Sequence, residues 1–186
     1  GIAGLFTGLL ANGAITYVVS QYYLGHKVTA AGGYVAALNY ALSLLAAAII
    51  FFSAMLGALT LWWLLIGIPM AVYISAAWFF YGQAIMIERA RPLAALGRSW
   101  RLVRGTWMRV FGIGIVFVLL QLAAGLFLSL PGFLLAAANA TLGGLLITLG
   151  FMLATPIFGV GAVLVYLDLR ARKEGYSLEM LASEIG

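Results

Sequence analysis

Few side chains in this sequence could perform acid–base or nucleophilic chemistry. His26 is the single histidine, Glu88 is the only carboxylate before residue 168, and cysteine is absent. Metal-assisted hydrolysis with acid–base catalysis needs several carboxylates and a histidine pair in one site, and a serine nucleophile needs a histidine base. We therefore expect a protein that is not an enzyme, with no catalytic residue, no metal site and no cofactor, and with His26 in a solvated loop.

Arginine is the polar residue whose spacing suggests a binding role, within the segment from residue 91 to 105. Pro92 suits the first turn of a helix, and a 3, 4, 3 spacing makes one apolar stripe of Leu93, Leu96, Trp100 and Val103. This pattern predicts an interfacial amphipathic helix over 92–104, with the stripe in the acyl boundary and the guanidiniums on anionic lipid. The residues expected to contact lipid phosphate are Arg98, Arg101, Arg104 and Arg109.

The same arginines have a second interpretation, as a topology signal and nothing more. Positive-inside placement explains the number of arginines but not their amphipathic spacing, so both interpretations stay open. Nucleic acid is not expected as a partner, because the arginines lie immediately beside two hydrophobic stretches.

Asp168 lies about one turn inside the basic cluster that ends the last hydrophobic stretch. An ionised carboxylate at that depth needs a partner. Arg172, four residues further on, is the local candidate, whereas an arginine of the 98–109 segment is a tertiary candidate that would attach the interfacial helix to the bundle. We interpret Asp168 and Arg172 as a structural ion pair, in preference to a proton carrier.

The overall composition indicates an integral membrane protein. Of 186 residues, 65% are hydrophobic and only 8% are charged, and the mean hydropathy is +1.13. A soluble domain carries about 25% charged residues, so this chain has too little polar surface to cover a globule in water. The formal net charge of +5 is therefore interpreted first as a sign of which loops face the cytoplasm.

The positions of the charges predict how the chain crosses the bilayer. No charge occurs in residues 28–87 or 110–167, and each of these stretches is long enough for two helical crossings of about 20 residues. Two crossings return the chain to the same side, so Lys27, the arginine segment and the basic tail share one face, which the positive-inside rule makes cytoplasmic. Residues 1–24 supply a fifth crossing and place residue 1 outside.

The predicted fold is therefore an all-α polytopic transmembrane bundle over residues 1–175, with one further span expected before residue 1. The tail of residues 176–186 is predicted to be cytoplasmic. The predicted spans lie near 2–24, 30–57, 60–89, 107–130 and 142–170, and Leu130-Pro131-Gly132 is expected to end the fourth.

Several motifs together resemble a known family. They are Gly25-x-Lys27, Ala94-Ala-Leu-x-Arg98-Ser99-Trp100, Trp107-x-Arg109 and Tyr166-x-Asp168-x-Arg170-x-Arg172-x-Glu174-Gly175. In this combination, over nearly the whole chain, the sequence resembles the bacterial glycerophosphoryl diester phosphodiesterase membrane-domain family. The resemblance implies a stand-alone helical membrane domain of the bacterial inner membrane, without the catalytic domain, and it does not imply catalysis.

These observations lead to a functional hypothesis with alternatives. We expect a non-enzymatic accessory or scaffold subunit that packs against other membrane subunits and holds anionic lipid at its cytoplasmic face. The alternatives are a transport or lipid-handling component, or a protein that presents lipid to a separate phosphodiesterase. A polar path would favour transport, and its candidate amides are Asn12, Asn39, Gln83 and Gln121.

Overall fold

The computed structural model describes residues 2–61 and 66–175, and these are helical with no strand. This confirms the all-α prediction. The helices are α1 (Ile2–Tyr23), α2 (Ala30–Asn39), α3 (Ala41–Thr60), α4 (Gly67–Ala77), α5 (Tyr81–Glu88), α6 (Pro92–Val103), α7 (Trp107–Ala136) and α8 (Ala140–Glu174). The predicted tail of residues 176–186 and the placement of residue 1 lie outside the described residues.

Four helical segments among the described residues are long and apolar enough to cross a membrane. These are Ala41–Thr60, Gly67–Glu88, Trp107–Ala136 and Ala140–Glu174. The chain thus has the make-up of a multi-pass membrane protein, as the composition predicts.

Two of the predicted spans contain an interruption that the sequence did not predict. The predicted span 30–57 is divided at Tyr40 into α2 and α3, and the predicted span 60–89 is divided at Trp78–Phe80 into α4 and α5. At Tyr40 the backbone N–H donates to the carbonyl three residues earlier, that of Ala37, and not to the carbonyl four residues earlier, as in a regular α-helix. This 3₁₀-type hydrogen bond is typical of a helix end. Hydropathy detects the length of a crossing but not such local breaks.

Pro131 does not end the fourth predicted span, which corrects the expectation for Leu130-Pro131-Gly132. The helix α7 continues through Pro131 to Ala136. Proline removes one backbone donor, and a membrane helix tolerates this loss where other groups satisfy the freed carbonyl. The turn follows later, where the Asn139 side chain accepts a hydrogen bond from the Leu142 N–H at 3.0 Å and caps α8.

The chain divides into two compact units. Unit 1 comprises Gly1–Val110 and Val163–Gly186, and unit 2 comprises Phe111–Ala162. Unit 1 contains the described charged residues and two clusters of buried apolar side chains. The candidate functional residues therefore lie in unit 1.

Unit 2 is held together by a close approach of the two helices that it contains. At Gly150 on α8, a Cβ atom would lie 2.7 Å from the backbone nitrogen of Ser129 on α7, so only glycine fits. The buried Ser129 hydroxyl donates to the carbonyl of Ile147 at 3.0 Å. Small residues and one interhelical hydrogen bond thus replace the hydrophobic driving force that is missing between helices in lipid.

Candidate functional site

The ends of five helices meet at one end of unit 1. The cluster of apolar side chains there includes Leu24 after α1, Ile87 of α5, Val103 of α6, Val110 of α7 and Leu169 of α8. Each of these residues lies close in sequence to charged residues. We call this region the basic end of unit 1, and it comprises Lys27 and the charged residues of 88–109 and 168–174.

Five polar side chains from three helices form one connected network, the Glu88 network. Arg98 Nε donates to Glu88 Oε2 at 2.7 Å, and the Tyr166 hydroxyl donates to Glu88 Oε1. Both terminal nitrogens of Arg98 donate to the Glu174 carboxylate, with Nη2 at 2.6 Å from Oε2. Arg170 Nε lies 3.4 Å from an oxygen of each carboxylate. The network therefore joins α5, α6 and α8.

The charged side chains of this network are largely buried, and this explains why each of them is paired. The side chain of Arg170 is 4% exposed, that of Glu88 is 16% exposed and that of Arg98 is 18% exposed. A charge removed from water is costly unless it is paired and hydrogen-bonded, and here two carboxylates neutralise two guanidiniums. The hydrogen bond to Glu174 raises the pKa of Arg98 above its usual value and outweighs the desolvation that lowers it, so Arg98 stays charged.

This geometry gives Arg98 a different position from the one expected of a lipid contact. Its guanidinium is committed to Glu88 and Glu174 within the protein. Helical spacing placed Arg98 with Arg101 and Arg104, because periodicity alone does not show which guanidinium meets a carboxylate from another helix.

Asp168 is the centre of a second, more exposed group of charges. Arg172 Nε donates to Asp168 Oδ1 at 2.8 Å, and Arg109 Nη2 lies 3.7 Å from Asp168 Oδ2. The local partner expected for Asp168 is thus present. The tertiary partner is Arg109, which belongs to α7 and therefore does not attach α6 to the bundle. The Asp168 side chain is 43% exposed and that of Arg172 is 60% exposed, so solvent screens this group strongly.

Ser99 joins α6 to the interruption between α4 and α5. Its hydroxyl, which is fully buried, donates to the carbonyl of Ala77 at 2.8 Å and accepts from the N–H of Phe80 at 3.1 Å. It satisfies two backbone groups that the break removes from the helical ladder. The sequence analysis includes Ser99 in a family motif but gives it no structural role, because no local pattern shows a bond across 22 residues.

The helix α6 buries one side and exposes the other. Its buried residues are Ala95, Leu96, Ser99, Leu102 and Val103. Leu93 is 72% exposed and Trp100 is 49% exposed. The prediction that Leu93, Leu96, Trp100 and Val103 form one lipid-facing stripe is therefore wrong for Leu96 and Val103, which lie within the protein because the core packs against a neighbouring arc of the helix.

Arg101 and Arg104 are exposed, as is Arg109 beside Asp168. Among the described residues, six cations have no ion pair, and they are Lys27, Arg89, Arg91, Arg101, Arg104 and Lys173. The Lys173 ammonium donates to the carbonyl of Arg104 at 2.6 Å, at the end of α6. The basic end therefore presents positive charge that the described carboxylates do not balance.

The remaining candidate for acid–base chemistry, His26, lies in an exposed turn. Its Nδ1 atom is 2.8 Å from Gln21 Oε1. Among residues 2–61 and 66–175, no group of three or more histidine, aspartate or glutamate side chains is placed to hold a metal ion.

Comparison with known proteins places the chain in one family. The family model described as Domain of unknown function (DUF7847) matches residues 3–169, which is most of the chain, so the chain belongs to this family. No curated protein and no solved structure matches it. The matched residues include Glu88, Arg98 and Tyr166, whereas Arg170 and Glu174 follow the matched range.

Proposed function

We propose that this chain, a member of the DUF7847 family, is a non-enzymatic accessory or scaffold subunit of a larger membrane complex, with anionic lipid at its basic end. One observation carries the proposal, namely the division of the charged groups. The described carboxylates Glu88, Asp168 and Glu174 are bound to arginines that join helices, while Arg101 and Arg104 face outward. Such an arrangement suits structural support and contact with phosphate.

The proposal includes a topology. It places the protein in a bacterial inner membrane, with α1 as a fifth span beside the four long apolar segments. The basic end faces the cytoplasm, in accordance with the positive-inside rule, and α6 lies in the interface. Trp100 and the exposed arginines on α6 support this placement, because an indole and guanidiniums suit the headgroup level.

The proposal also keeps the resemblance to the bacterial glycerophosphoryl diester phosphodiesterase membrane-domain family. In such a relationship the chain would contribute the membrane domain, and a separate enzyme would supply the chemistry. Deletion of the chain would then lower phosphodiester turnover in membranes. Unchanged turnover would count against this link.

Native mass spectrometry of the protein, extracted from its own membrane in mild detergent, tests the subunit role. We expect a complex of defined stoichiometry with at least one other membrane protein. A monomer or a homo-oligomer that carries only lipid would overturn the scaffold role. The masses of the retained lipids, read in the same spectrum, test the anionic-lipid contact.

A transport or lipid-handling component is the second candidate, and the interruptions between α2 and α3 and between α4 and α5 favour it. Broken helices at membrane depth are a feature of transporter sites. Gln83, on α5, is buried, whereas Asn12 and Asn39 are exposed. The test is lipid or solute flux into proteoliposomes that contain the parent or Gln83→Leu, and we expect slower flux for the variant. Flux through the parent that equals the flux into liposomes without protein would exclude this candidate.

A further inference from the structure

The outward side of α6 combines apolar and cationic residues in one helical register. Leu93, Gly97, Trp100 and Arg101 stand at positions i, i+4, i+7 and i+8 of α6, which fall on one side of the helix, and Arg104 follows directly after its last residue. Leu93 and Trp100 are exposed, and both arginines are exposed. The opposite side of the helix is buried, so this arc is the part of α6 that is available to a ligand.

Two contacts organise this arc. Arg101 Nη1 lies 4.0 Å from the position that a Cβ atom would occupy at Gly97, so the guanidinium folds back over the glycine. The indole N–H of Trp100 donates to the Tyr73 hydroxyl on α4 at 3.0 Å, which holds the ring in place. The guanidinium therefore lies above a position without a side chain, on the arc that also carries Leu93 and Trp100.

We propose that this arc is a discrete site for one diacyl phospholipid with a phosphodiester headgroup. The inference rests on the proposed lipid contact of the basic end and specifies its site. Arg101 and Arg104 bind the phosphate, since a guanidinium fits phosphate oxygens with two parallel N–H donors. Leu93 and Trp100 contact the upper part of the acyl chains. Arg98 takes no part, because it is bound to Glu88 and Glu174.

The apolar residues identify the source of the phosphate. Free phosphate would use the two arginines and would leave Leu93 and Trp100 in contact with water. A lipid covers both, and burial of apolar surface adds to its binding. The phosphate is therefore assigned to a lipid headgroup.

A pair of charge-matched variants separates a discrete site from general attraction to a negative surface. Arg101→Gln/Arg104→Gln removes two charges from the arc. Arg89→Gln/Arg91→Gln removes two charges from the exposed residues that precede α6. We expect the first variant to bind phosphatidylglycerol at least about tenfold more weakly than the parent, since each cation that meets the anionic phosphate adds about fivefold to the binding. The second variant should bind within about twofold of the parent, because Arg89 and Arg91 lie outside the arc.

The binding is measured on the full chain, delipidated in detergent and titrated with phosphatidylglycerol, by native mass spectrometry. The expected result for the parent is one tightly held lipid that a large excess of inorganic phosphate does not displace. Arg101→Lys/Arg104→Lys keeps both charges and tests the guanidinium geometry. This variant should bind at least about threefold more weakly than the parent, which is roughly half of the loss in binding free energy expected on removal of both charges. Melting temperatures show that each variant is folded.

The outcomes distinguish the discrete site from the general lipid contact of the basic end. Equal losses in the two glutamine variants would overturn the discrete site and would leave the general lipid contact in place. Displacement of the lipid by the large excess of inorganic phosphate would overturn the assignment to lipid. A parent that binds no phosphatidylglycerol would overturn the proposed lipid contact and the site together.

Discussion

Arg98 on α6 and Glu174 at the end of α8 are joined through both terminal guanidinium nitrogens, although 76 residues separate them in sequence. The same arginine binds Glu88 on α5 through Nε. One side chain thus connects three helices at the basic end of unit 1. Arg101 on α6 and Arg104 directly after it are the exposed cations beside this arginine.

Arg98→Gln tests the importance of the Glu88 network for stability. The change leaves Glu88 and Glu174 without their main partner in a largely buried setting, and the unfolding free energy should fall by about 2–4 kcal/mol. The measurement is thermal unfolding in detergent. Arg91→Gln, at an exposed position directly before α6, is the matched control, with an expected change below about 0.5 kcal/mol. Equal effects of the two variants would contradict the structural role of the network.

Ser99→Ala tests the joint between α6 and the α4–α5 interruption. The hydroxyl makes two buried hydrogen bonds, to Ala77 and Phe80, and its removal leaves a backbone donor and an acceptor unpaired. The expected loss is about 1–3 kcal/mol in thermal unfolding. Ser75→Ala is the control, because the Ser75 hydroxyl bonds within its own helix, to Val72. An unchanged melting temperature for Ser99→Ala would show that the joint adds no stability.

Asp168→Asn tests the exposed group of charges. Because Asp168, Arg109 and Arg172 are all well exposed, the expected loss of stability is small, below about 1 kcal/mol, and should disappear at high salt. Melting curves at low and high ionic strength check this. A loss that persists at high salt would indicate that Asp168 has a less screened role than its exposure implies.

Gly150→Ala tests the packing of unit 2. The added Cβ atom would meet the backbone of Ser129, which has little room to move, so the melting temperature should fall. Gly144→Ala is the control on the same helix, because nothing lies within 4 Å of its Cβ position. Alanine favours helix over glycine, and the control should therefore be neutral or slightly stabilising. A loss in both variants would point away from the α7–α8 contact.

The helical class and the membrane character followed from composition, and two uncharged stretches predicted where the long helices lie. The start of α6 at Pro92 also followed from local chemistry, since proline suits a first turn. These features are local because hydropathy and backbone preferences act over one or two helical turns. The interruption at Trp78–Phe80 was not predicted, because the hydroxyl that satisfies it comes from Ser99 on another helix.

The sequence by itself therefore determined the composition of the site, a group of arginines beside membrane helices, with Asp168 and Arg172 one turn apart. Only the tertiary structure decided which arginine is neutralised and which is exposed. Arg98 and Arg101 are the same residue type on one helix, but only Arg98 meets Glu88 and Glu174. Pairing depends on distances between helices far apart in the chain, and helical periodicity carries no information about those distances.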